Sequence, residues 1–465
     1  MKNREKRLLT NTLILSVGTL CTKGMMFFMA PLFTRWLTSY EYGEFDLLVS
    51  YISLLLPILT LSSGEAIFRF LLDADNLNEK NKWLSTALFI YFLSMIIAGV
   101  STVVIIKITY IDSFLAIAFL SYFCAEIMYN FCMSVMRGLK KLQYYTLGNI
   151  VSVLTMSLAV FLCVKKFSWG LPGILMGYAI GDITAVFIML FLSQIFMNIH
   201  FSAISIDAIK EIILYAVPMI PNAISWWIIS VFDRSLVSSI LGTNINGIYA
   251  IANKIPNLCQ TFFSIFHLSW QQSATEAAND QDRDIYYSGI FNELIKGVIS
   301  ICIIVLSFNY WFFKILFNVE YFTGYYHAPI LVFSLIFLLG SQFLGGIYVA
   351  QKESWKNGRT TIFGALTDII FNAVLIRTIG LYAASLSTLL SYFVLFIIRW
   401  IDIQKNFKIT ININSYIYII IFLYFFCSQY AVNIFLNIIN IPLALIFFLV
   451  INKKMVISML KKIHK

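Results

Sequence analysis

Charged residues are scarce in this sequence. Lys, Arg, Asp and Glu make up 12% of the 465 residues, about half the share of an ordinary soluble protein, whereas hydrophobic residues make up 60%. The seven cysteines form no CxxC pair, so the sequence contains neither a zinc-finger pattern nor a dithiol redox motif. We expect these cysteines to be small buried side chains within apolar segments.

Catalytic and nucleotide-binding motifs are also missing. The sequence has no GxxxxGK[ST] loop to hold the phosphates of ATP, no HExxH zinc motif, no GxSxG nucleophile motif and no Cys/His cluster. We therefore expect a protein that is not an enzyme and that binds no organic cofactor. Energy for any work that it performs would have to come from another source, such as a gradient of H⁺ or Na⁺.

Apolar runs recur along the whole chain. A helix of about 20 residues crosses the roughly 30 Å hydrocarbon layer of a bilayer and makes its backbone hydrogen bonds internally. We therefore predict an all-α polytopic membrane protein with about 14 transmembrane helices. Their predicted ranges are 8–33, 46–68, 84–106, 114–136, 143–164, 171–196, 212–240, 245–272, 288–313, 328–350, 360–376, 380–398, 415–432 and 434–451.

Lys and Arg are unevenly distributed between the loops. If the N-terminus is cytoplasmic, 23 of the 33 lie in cytoplasmic segments, seven lie outside and three lie within spans. Because loops rich in Lys and Arg stay in the cytoplasm, we predict that both termini and the loops near 69–83, 137–142 and 352–359 are cytoplasmic. This bias accounts for the formal net charge of +10 without a nucleic-acid partner.

Two short motifs occur twice. Segment 37–45 matches 241–249 at an offset of 204 residues, and segment 170–174 matches 380–384 at an offset of 210. A near-constant offset predicts two homologous six-helix halves, and an even number of spans gives both halves the same topology in the membrane. The predicted domains are an N-terminal lobe at 1–205, a C-terminal lobe at 206–405, and two additional helices with a basic tail at 406–465.

A polar stripe follows the predicted eighth helix. Its members recur every three or four residues and so share one helix face: Asn253, Asn257, Gln260, Ser264, His267 and Gln271. Lipid cannot satisfy such side chains, so the stripe is expected to face a protein interior or water. This pattern indicates a transport path.

Three other helices carry similar polar residues. They are Thr12, Ser16, Thr19 and Lys23 on helix 1, Asp46, Ser50, Ser53 and Thr60 on helix 2, and Asn222, Ser225 and Asp233 on helix 7. Hydroxyl groups also serve as ordinary contacts between membrane helices, which is the alternative for each Ser and Thr. Lys23 and Lys254 differ, because an ammonium deep in a membrane costs about 2.5–3.5 kcal/mol. Neither has an acid three or four residues away, so each is expected to bind an anion or to join a distant ion pair.

Other charged residues in the spans form pairs or stand alone. Glu65 and Arg69 are expected to pair with each other at i,i+4 spacing, as are Glu293 and Lys296 at i,i+3. Asp233 and Arg234 are adjacent and point about 100° apart on a helix, so they cannot simply neutralise each other. Single acids that could hold a proton or a cation are Glu126, Asp182 and Asp368.

The second half carries a recognisable pattern in two parts. The first part consists of Pro218, Asp233-Arg234-x-x-Val237, Leu241-Gly242, Gly247-x-Tyr249 and Lys254-Ile255. The second consists of Asn372-x-x-Leu375-Ile376, Gly380-Leu381-x-Ala383-Ala384, Thr388 and Ser391-Tyr392. Together they resemble the Wzx-type O-antigen and capsule flippases of the multidrug/oligosaccharidyl-lipid/polysaccharide (MOP) superfamily. Arg377 departs from the family pattern, which usually has proline at that place.

The resemblance covers about 10–405 and implies a MATE-like fold, with two lobes around a cavity lined by helices 1, 2, 7 and 8. It implies a flippase in the bacterial inner membrane that moves an undecaprenyl-pyrophosphate-linked oligosaccharide to the outer leaflet by alternating access. The glycan would serve lipopolysaccharide O-antigen, capsule or exopolysaccharide synthesis. Expected partners are membrane lipids, a polysaccharide polymerase and a chain-length regulator, and the coupling ion would be H⁺ or Na⁺.

Candidate site residues follow from the polar positions and from this resemblance. The residues expected to bind substrate are Lys23, Lys254, Arg69, Arg234, Asn257, Gln260 and His267. Those expected to act in coupling or gating are Asp233, Glu65 and Asp46.

Three alternatives remain open. An ion-coupled multidrug exporter would share the fold, but such exporters usually use acids in the first lobe, whereas helix 1 carries only Lys23 with Arg35 beyond it. A lipid II flippase is not excluded, although the second-lobe pattern fits it less well. An integral membrane enzyme of glycan assembly is disfavoured by the short loops and the missing motifs.

Overall fold

The computed structural model describes residue 18 and residues 21–109, 112–278, 280–351, 353–431 and 433–453. All regular secondary structure in these ranges is helical. Helix α1 covers 21–36. The helices that follow are α2 (Ser39–Leu59), α3 (Ser63–Asp73), α4 (Leu77–Thr109), α5 (Ser113–Gly138), α6 (Leu142–Val160), α7 (Gly170–Ser193), α8 (Ile206–Ala216), α9 (Ile220–Trp227), α10 (Asp233–Leu241), α11 (Thr243–Ala252), α12 (Lys254–Glu276), α13 (Arg283–Trp311), α14 (Ala328–Ala350), α15 (Ser354–Ile379), α16 (Leu381–Ile403), α17 (Ile413–Ser428) and α18 (Ile434–Ile451).

The protein is a multi-pass membrane protein. Within the described ranges, eleven helices are long and apolar enough to cross a bilayer, and Ser415–Ala431 is a shorter apolar helix. This confirms the all-α polytopic fold. The eleven do not include α1 and α11, whose described lengths are too short for a span, or α12, whose polar residues lower the mean hydropathy. The count of 14 spans therefore stays a prediction. The predicted first span lies partly outside the described residues.

The gap at 241–244 between the predicted spans 212–240 and 245–272 is a short polar corner in the structure. A continuous helical stretch, Ile206–Leu241, combines α8, α9 and α10 through one 3₁₀ turn and one π turn. Gly242 then adopts a φ of +106°, in the region that favours glycine, and α11 begins at Thr243. The predicted eighth helix is divided at Asn253, where α11 ends and α12 begins.

The chain forms two compact units, one ending at Trp227 and the other beginning at Ile228. In unit 1, α7 packs against α5 and α6. The contact with α6 is so close that a Cβ atom on Gly177 would collide with Val160. Small residues let the backbones of membrane helices approach in this way, so van der Waals contact holds the pair together.

Unit 2 is built around α14, which contacts α12, α13 and α16. The two C-terminal helices belong to this unit, because α17 and α18 both pack on α13. Asn292 of α13 anchors the segment before α17. Its amide donates to the carbonyl oxygen of Thr410 at 2.8 Å, and its carbonyl oxygen accepts from the backbone N–H of Asn412 at 2.8 Å. These hydrogen bonds connect the last two helices to the body of unit 2.

Both members of each repeated motif begin a helix. Thr38 precedes α2 and closes a capping box with Glu41, and Gly242 holds the equivalent place before α11. Gly170 and Gly380, the second matched pair, have φ values of +55° and +59° at the starts of α7 and α16. The second pair thus shares a positive φ, whereas the first pair shares only its place before a helix, since φ is −68° at Thr38 and +106° at Gly242.

The prediction that all seven cysteines are buried is wrong for two of them. Cys132, Cys163, Cys259 and Cys302 are buried and Cys124 is half-buried, whereas Cys21 and Cys427 are exposed. An apolar helix in lipid needs no polar outer face, so a small apolar side chain can point outward from it.

Candidate functional site

Unit 1 contains a polar cavity of about 400 Å³. Residues of α3, α5 and α6 and the end of α2 line it, and many of the lining side chains are carboxyl, amide, hydroxyl or guanidinium groups. Two of its amides are held by tyrosines. The Tyr91 hydroxyl donates to Asn130 Oδ1 at 2.9 Å, and the Tyr129 hydroxyl donates to Asn149 Oδ1 at 3.0 Å. The amide nitrogen of Asn149 also donates to the carbonyl oxygen of Tyr145 at 3.2 Å, so both amides have fixed positions in the cavity wall.

The membrane helix that lines this cavity is broken. Pro57 lies in the last turn of α2, and Leu61 and Ser62 have φ values of +53° and +51° before α3 begins. Non-glycine residues with positive φ are strained, and such strain concentrates at binding and switch regions. Irregular backbone at membrane depth is tolerated where it lines a cavity, and Thr60 and Ser62 do line this one. The break is therefore a candidate hinge.

A charged pair lies in the cavity wall. Arg137 Nη1 is 3.7 Å from Glu65 Oε1, and the guanidinium also lies 4.4 Å from the centre of the Phe68 ring. The predicted pairing of Glu65 with Arg69 is therefore wrong, since Arg69 Nε contacts Asp73 Oδ2 at 3.0 Å, one turn further along α3. Both spacings are i,i+4, and spacing alone does not choose between them. The predicted pair of Glu293 and Lys296 is confirmed, at 2.7 Å.

Two acids of unit 1 lie together deeper in the same region. Glu126 lines the cavity, and its carboxyl group lies beside that of the buried Asp182. The Ser152 hydroxyl donates to Asp182 Oδ1 at 2.8 Å. From the sequence, Glu126 and Asp182 are expected to be single acids, because they belong to different helices, α5 and α7.

The polar stripe of helix 2 is largely satisfied within its own helix. The hydroxyl groups of Ser50, Ser53 and Thr60 donate to backbone carbonyl oxygens three or four residues earlier, at 2.6–2.7 Å. Asp46 is buried. On helix 1, Lys23 is exposed, whereas Thr12, Ser16 and Thr19 lie outside the described residues.

Unit 2 contains a buried polar cluster, formed by Asp233, Tyr249, Asp368, Asn372 and Thr388. Asp233, at the start of α10, is 3% exposed. Its carboxylate accepts hydrogen bonds from the Tyr249 hydroxyl of α11 and, at 3.4 Å, from the Thr388 hydroxyl of α16. One acid thus connects three helices.

Asp368 and Asn372 of α15 complete this cluster. Both are fully buried, and none of their side-chain oxygen or nitrogen atoms has a hydrogen-bond partner among the described residues. Ser387 is near Asp368, but its hydroxyl donates to the carbonyl oxygen of Ala384 at 3.0 Å. Leaving buried polar atoms unsatisfied is costly, so such atoms call for a ligand or a functional reason. Carboxylate, amide and hydroxyl oxygens are the donors that hard cations prefer.

The polar stripe of the predicted eighth helix presents several side chains away from the core of unit 2. Asn257 is exposed, and Lys254, Gln260 and His267 are half-buried. The imidazole of His267 contacts the amide of Gln271 at 3.1 Å. Ile251, on the preceding helix α11, is fully buried, and the side chain of Ser264 lies outside the described part. Arg234 is half-buried beside the cluster of unit 2, where its backbone N–H donates to Asp233 Oδ1 at 2.8 Å.

Cysteine labelling should show that this exposed face is wet. In a protein whose exposed Cys21 and Cys427 are replaced by serine, Asn257→Cys is expected to react with a membrane-impermeant hydrophilic thiol reagent, because a thiolate forms only in water. Ile251→Cys, at 0% exposure, should not react. Val100→Cys is the matched control, since Val100 is 60% exposed on an apolar helix surface. Equal labelling at positions 257 and 100 would contradict a water-filled path along α12.

Several residues of these sites were absent from the predicted set. Arg137 was counted only as a loop cation, and Tyr249, Asn372 and Thr388 were noted only as parts of the family pattern. For Tyr249, Asn372 and Thr388, the only indication in the sequence is their place in that family pattern. No local signal joins Arg137 to Glu65, because 72 positions separate them in the chain.

Solved structures of known transporters share this fold. The lipid II flippase MurJ, in an inward closed conformation, aligns with a TM-score of 0.73 and 14% identity over 96% of this chain and 100% of its own. A multidrug-resistance MATE family transporter of the MOP superfamily, in an inward-facing conformation, aligns with a TM-score of 0.65 and 13% identity over 85% and 95%. A MOP superfamily transporter from Pyrococcus furiosus, described as having a binding pocket of reverse polarity, gives 0.62 and 14% over 85% and 95%. At these identities the likeness shows the fold alone.

The sequence comparisons give the family. No curated protein matches the chain. The family model of the polysaccharide biosynthesis proteins, however, matches residues 8–270, which is more than half of the sequence. That range contains the cavity of unit 1, Asp233 and most of the polar stripe on α12. This chain therefore belongs to the polysaccharide biosynthesis protein family, and it has the fold of MOP superfamily transporters.

Proposed function

We propose that this protein is a flippase for an oligosaccharide carried on undecaprenyl pyrophosphate. It takes the lipid-linked glycan from the cytoplasmic leaflet of a bacterial inner membrane and delivers it to the outer leaflet by alternating access. Both termini face the cytoplasm in this arrangement, in agreement with the distribution of Lys and Arg. The glycan serves O-antigen, capsule or another surface polysaccharide, and a polymerase and a chain-length regulator act on it after transfer.

The observation that carries this proposal is the polar cavity of unit 1. A volume of about 400 Å³, with carboxylate, amide, tyrosine and guanidinium groups in its wall, suits a molecule rich in hydroxyl groups. Glu65 and Arg137 supply both an acceptor and a cationic donor at 3.7 Å from each other. An apolar drug would leave these polar and charged groups without hydrogen-bond partners. The sugars therefore lie in this cavity while the isoprenoid tail stays in lipid.

The charged head of the substrate needs cations along the path. Lys23, on α1 of unit 1, and Lys254, the first residue of α12 in unit 2, bind the pyrophosphate in this proposal. An ammonium is a compact point charge, which binds a phosphate without the fixed bidentate geometry of arginine. The head group can therefore be desolvated and still be released.

The polar cluster of unit 2 supplies the coupling ion site. Asp233, Asp368, Asn372 and Thr388 present oxygen atoms from three helices, α10, α15 and α16. Binding of H⁺ or Na⁺ neutralises part of the buried charge and so favours one arrangement of these helices over another. This difference lets an ion gradient drive the transfer.

A transfer assay tests the proposal. Proteoliposomes are loaded with undecaprenyl-pyrophosphate oligosaccharide, and a membrane-impermeant sugar-oxidising reagent measures how fast the glycan reaches the opposite leaflet. Purified protein is expected to accelerate this exposure, and Glu65→Gln is expected to slow it about tenfold, the effect of losing one hydrogen bond to a charged group. Glu79→Gln is the matched control, because Glu79 is an exposed acid of unit 1 that does not line the cavity.

Two further substrates distinguish the proposed function from a lipid II flippase and from a drug exporter. Lipid II and a cationic dye are offered to the same proteoliposomes. Faster transfer of lipid II than of the oligosaccharide lipid would replace the proposed substrate with lipid II. Dye efflux without glycan transfer would identify a drug exporter and overturn the proposal.

A further inference from the structure

A second cavity lies at one end of unit 2, away from the polar cluster. It has a volume of about 360 Å³ and is lined by the first part of α15 and the last part of α16. One part of its wall is charged, with Lys356, Arg359, Asp402 and Lys405, and the other is apolar, including Trp355 and Ile401. The cavity thus lies where two membrane helices end, on the side that the distribution of Lys and Arg predicts to be cytoplasmic.

The charged side contains two lysines in ion pairs and one arginine, Arg359, outside them. Lys356 Nζ contacts Glu353 at 2.8 Å and Asp402 at 3.4 Å, and Lys405 Nζ contacts Asp402 at 3.6 Å. Asp402 also accepts a hydrogen bond from the Tyr348 hydroxyl at 3.0 Å, so its position is fixed. Arg359 is exposed, and no acidic side chain of the described residues forms an ion pair with it. The guanidinium of Arg359 is therefore open to a ligand and can bind a phosphate with two parallel hydrogen bonds.

The apolar side faces away from the protein interior. Trp355 is 61% exposed and Ile401 is 57% exposed, although both belong to membrane-spanning helices. Such side chains lie against lipid, and tryptophan at the end of a span marks the level of the head groups. A ligand that fills this cavity therefore has a phosphate beside Arg359 and an apolar portion beside Ile401. A soluble phosphate compound has no apolar portion to place beside Ile401, so the apolar side of the cavity would not strengthen its binding.

We propose that this cavity binds an anionic glycerophospholipid of the surrounding leaflet through its phosphate group. One guanidinium, that of Arg359, balances the single negative charge of a phosphodiester. The pyrophosphate of a polyprenyl carrier carries more negative charge than one guanidinium balances. Basic pockets between helices on the cytoplasmic side are a known way of binding anionic lipids. The bound lipid holds the ends of α15 and α16 together at the membrane surface, independently of what the protein transports.

Thermal stability of the purified full-length protein in detergent tests the site. Phosphatidylglycerol is expected to raise the Tm more than zwitterionic phosphatidylcholine does. The concentration of phosphatidylglycerol needed for half of the effect should increase about tenfold in Arg359→Gln, because one hydrogen bond between charged groups is lost. Lys405→Gln, which removes a different cation of the cavity, should weaken binding in the same direction. Lys408→Gln is the matched control and should leave binding unchanged, because Lys408 is an exposed lysine of the same unit that does not line the cavity.

Other ligands separate the possible sources of the phosphate. Inorganic phosphate is expected to have no effect, and undecaprenyl phosphate is expected to act less strongly than phosphatidylglycerol. Stronger stabilisation by undecaprenyl phosphate would assign the cavity to the carrier lipid, and an equal effect of inorganic phosphate would assign it to a soluble anion. Either result overturns the proposal, as does equal phosphatidylglycerol binding by the wild type and by both cavity variants.

Discussion

Replacing Asp368 with asparagine is expected to lower glycan transfer by more than tenfold while the protein remains folded in the membrane. Asp368 is fully buried, and neither of its carboxylate oxygens accepts a hydrogen bond from a described residue. The substitution therefore removes a charge without removing a hydrogen bond to the protein, and the side-chain volume is nearly unchanged. A buried charge without donors is unfavourable for folding, so its neutralisation should leave the Tm equal or higher.

Loss of activity at unchanged stability would mean that the carboxylate serves transport. We expect transfer to fall by more than tenfold in Asp368→Asn and in Asp233→Asn, since both acids belong to the cluster of unit 2. Asp233→Asn should also lower stability, because Asp233 accepts hydrogen bonds from Tyr249 and Thr388. Transfer is measured in proteoliposomes with an imposed Na⁺ or H⁺ gradient, and Asp280→Asn, at an exposed position of unit 2, is the control.

Comparing transfer under the Na⁺ gradient with transfer under the H⁺ gradient also identifies the coupling ion. If the ion is Na⁺, wild-type transfer responds to the Na⁺ gradient and Asp368→Asn no longer does. If it is H⁺, the asparagine imitates a permanently protonated acid, and transfer loses its dependence on pH. Normal coupled transfer by both acid variants would show that the cluster has a structural role only.

Removing the charge of Lys23 or Lys254 should have an effect of similar size. An ammonium within a membrane span costs about 2.5–3.5 kcal/mol, and a helix that retains it does so for binding or for a structural ion pair. If these lysines bind the pyrophosphate, Lys23→Gln and Lys254→Gln should abolish export of surface glycan at normal protein levels. Lys→Arg at either position should keep partial function, because the charge remains while the geometry of binding changes.

Surface glycan and membrane protein levels are measured together in cells that lack the native gene. Lys107→Gln serves as the control, since Lys107 is an exposed lysine at the end of α4. A structural role for the lysines predicts loss of folded protein in the same variants. Normal export by both variants would exclude the lysines as ligands of the head group and would leave Arg69, Arg137 and Arg234 as the cations of the path.

The class of structure follows from local features of the amino-acid sequence. The features that define this class each depend on a single helix or turn. They are apolar runs of about 20 residues, the polar corner at 241–244 and the glycines at the starts of α7 and α16. Lipid offers no hydrogen bonds, so the backbone of each run has to be helical whatever its neighbours are. For the same reason the polar positions of α12 could be placed on one face from their spacing alone.

The contacts between side chains of different helices depend on tertiary packing. Spacing allowed Arg69 to pair with Glu65 or with Asp73, and the packing of α5 against α3 gave Glu65 the partner Arg137 instead. Asp233 meets Thr388 across 155 positions of the chain, a contact that no periodicity contains. Helix formation depends on neighbours within four residues, whereas contacts between helices depend on how whole apolar surfaces fit together, and that fit is a property of the folded chain.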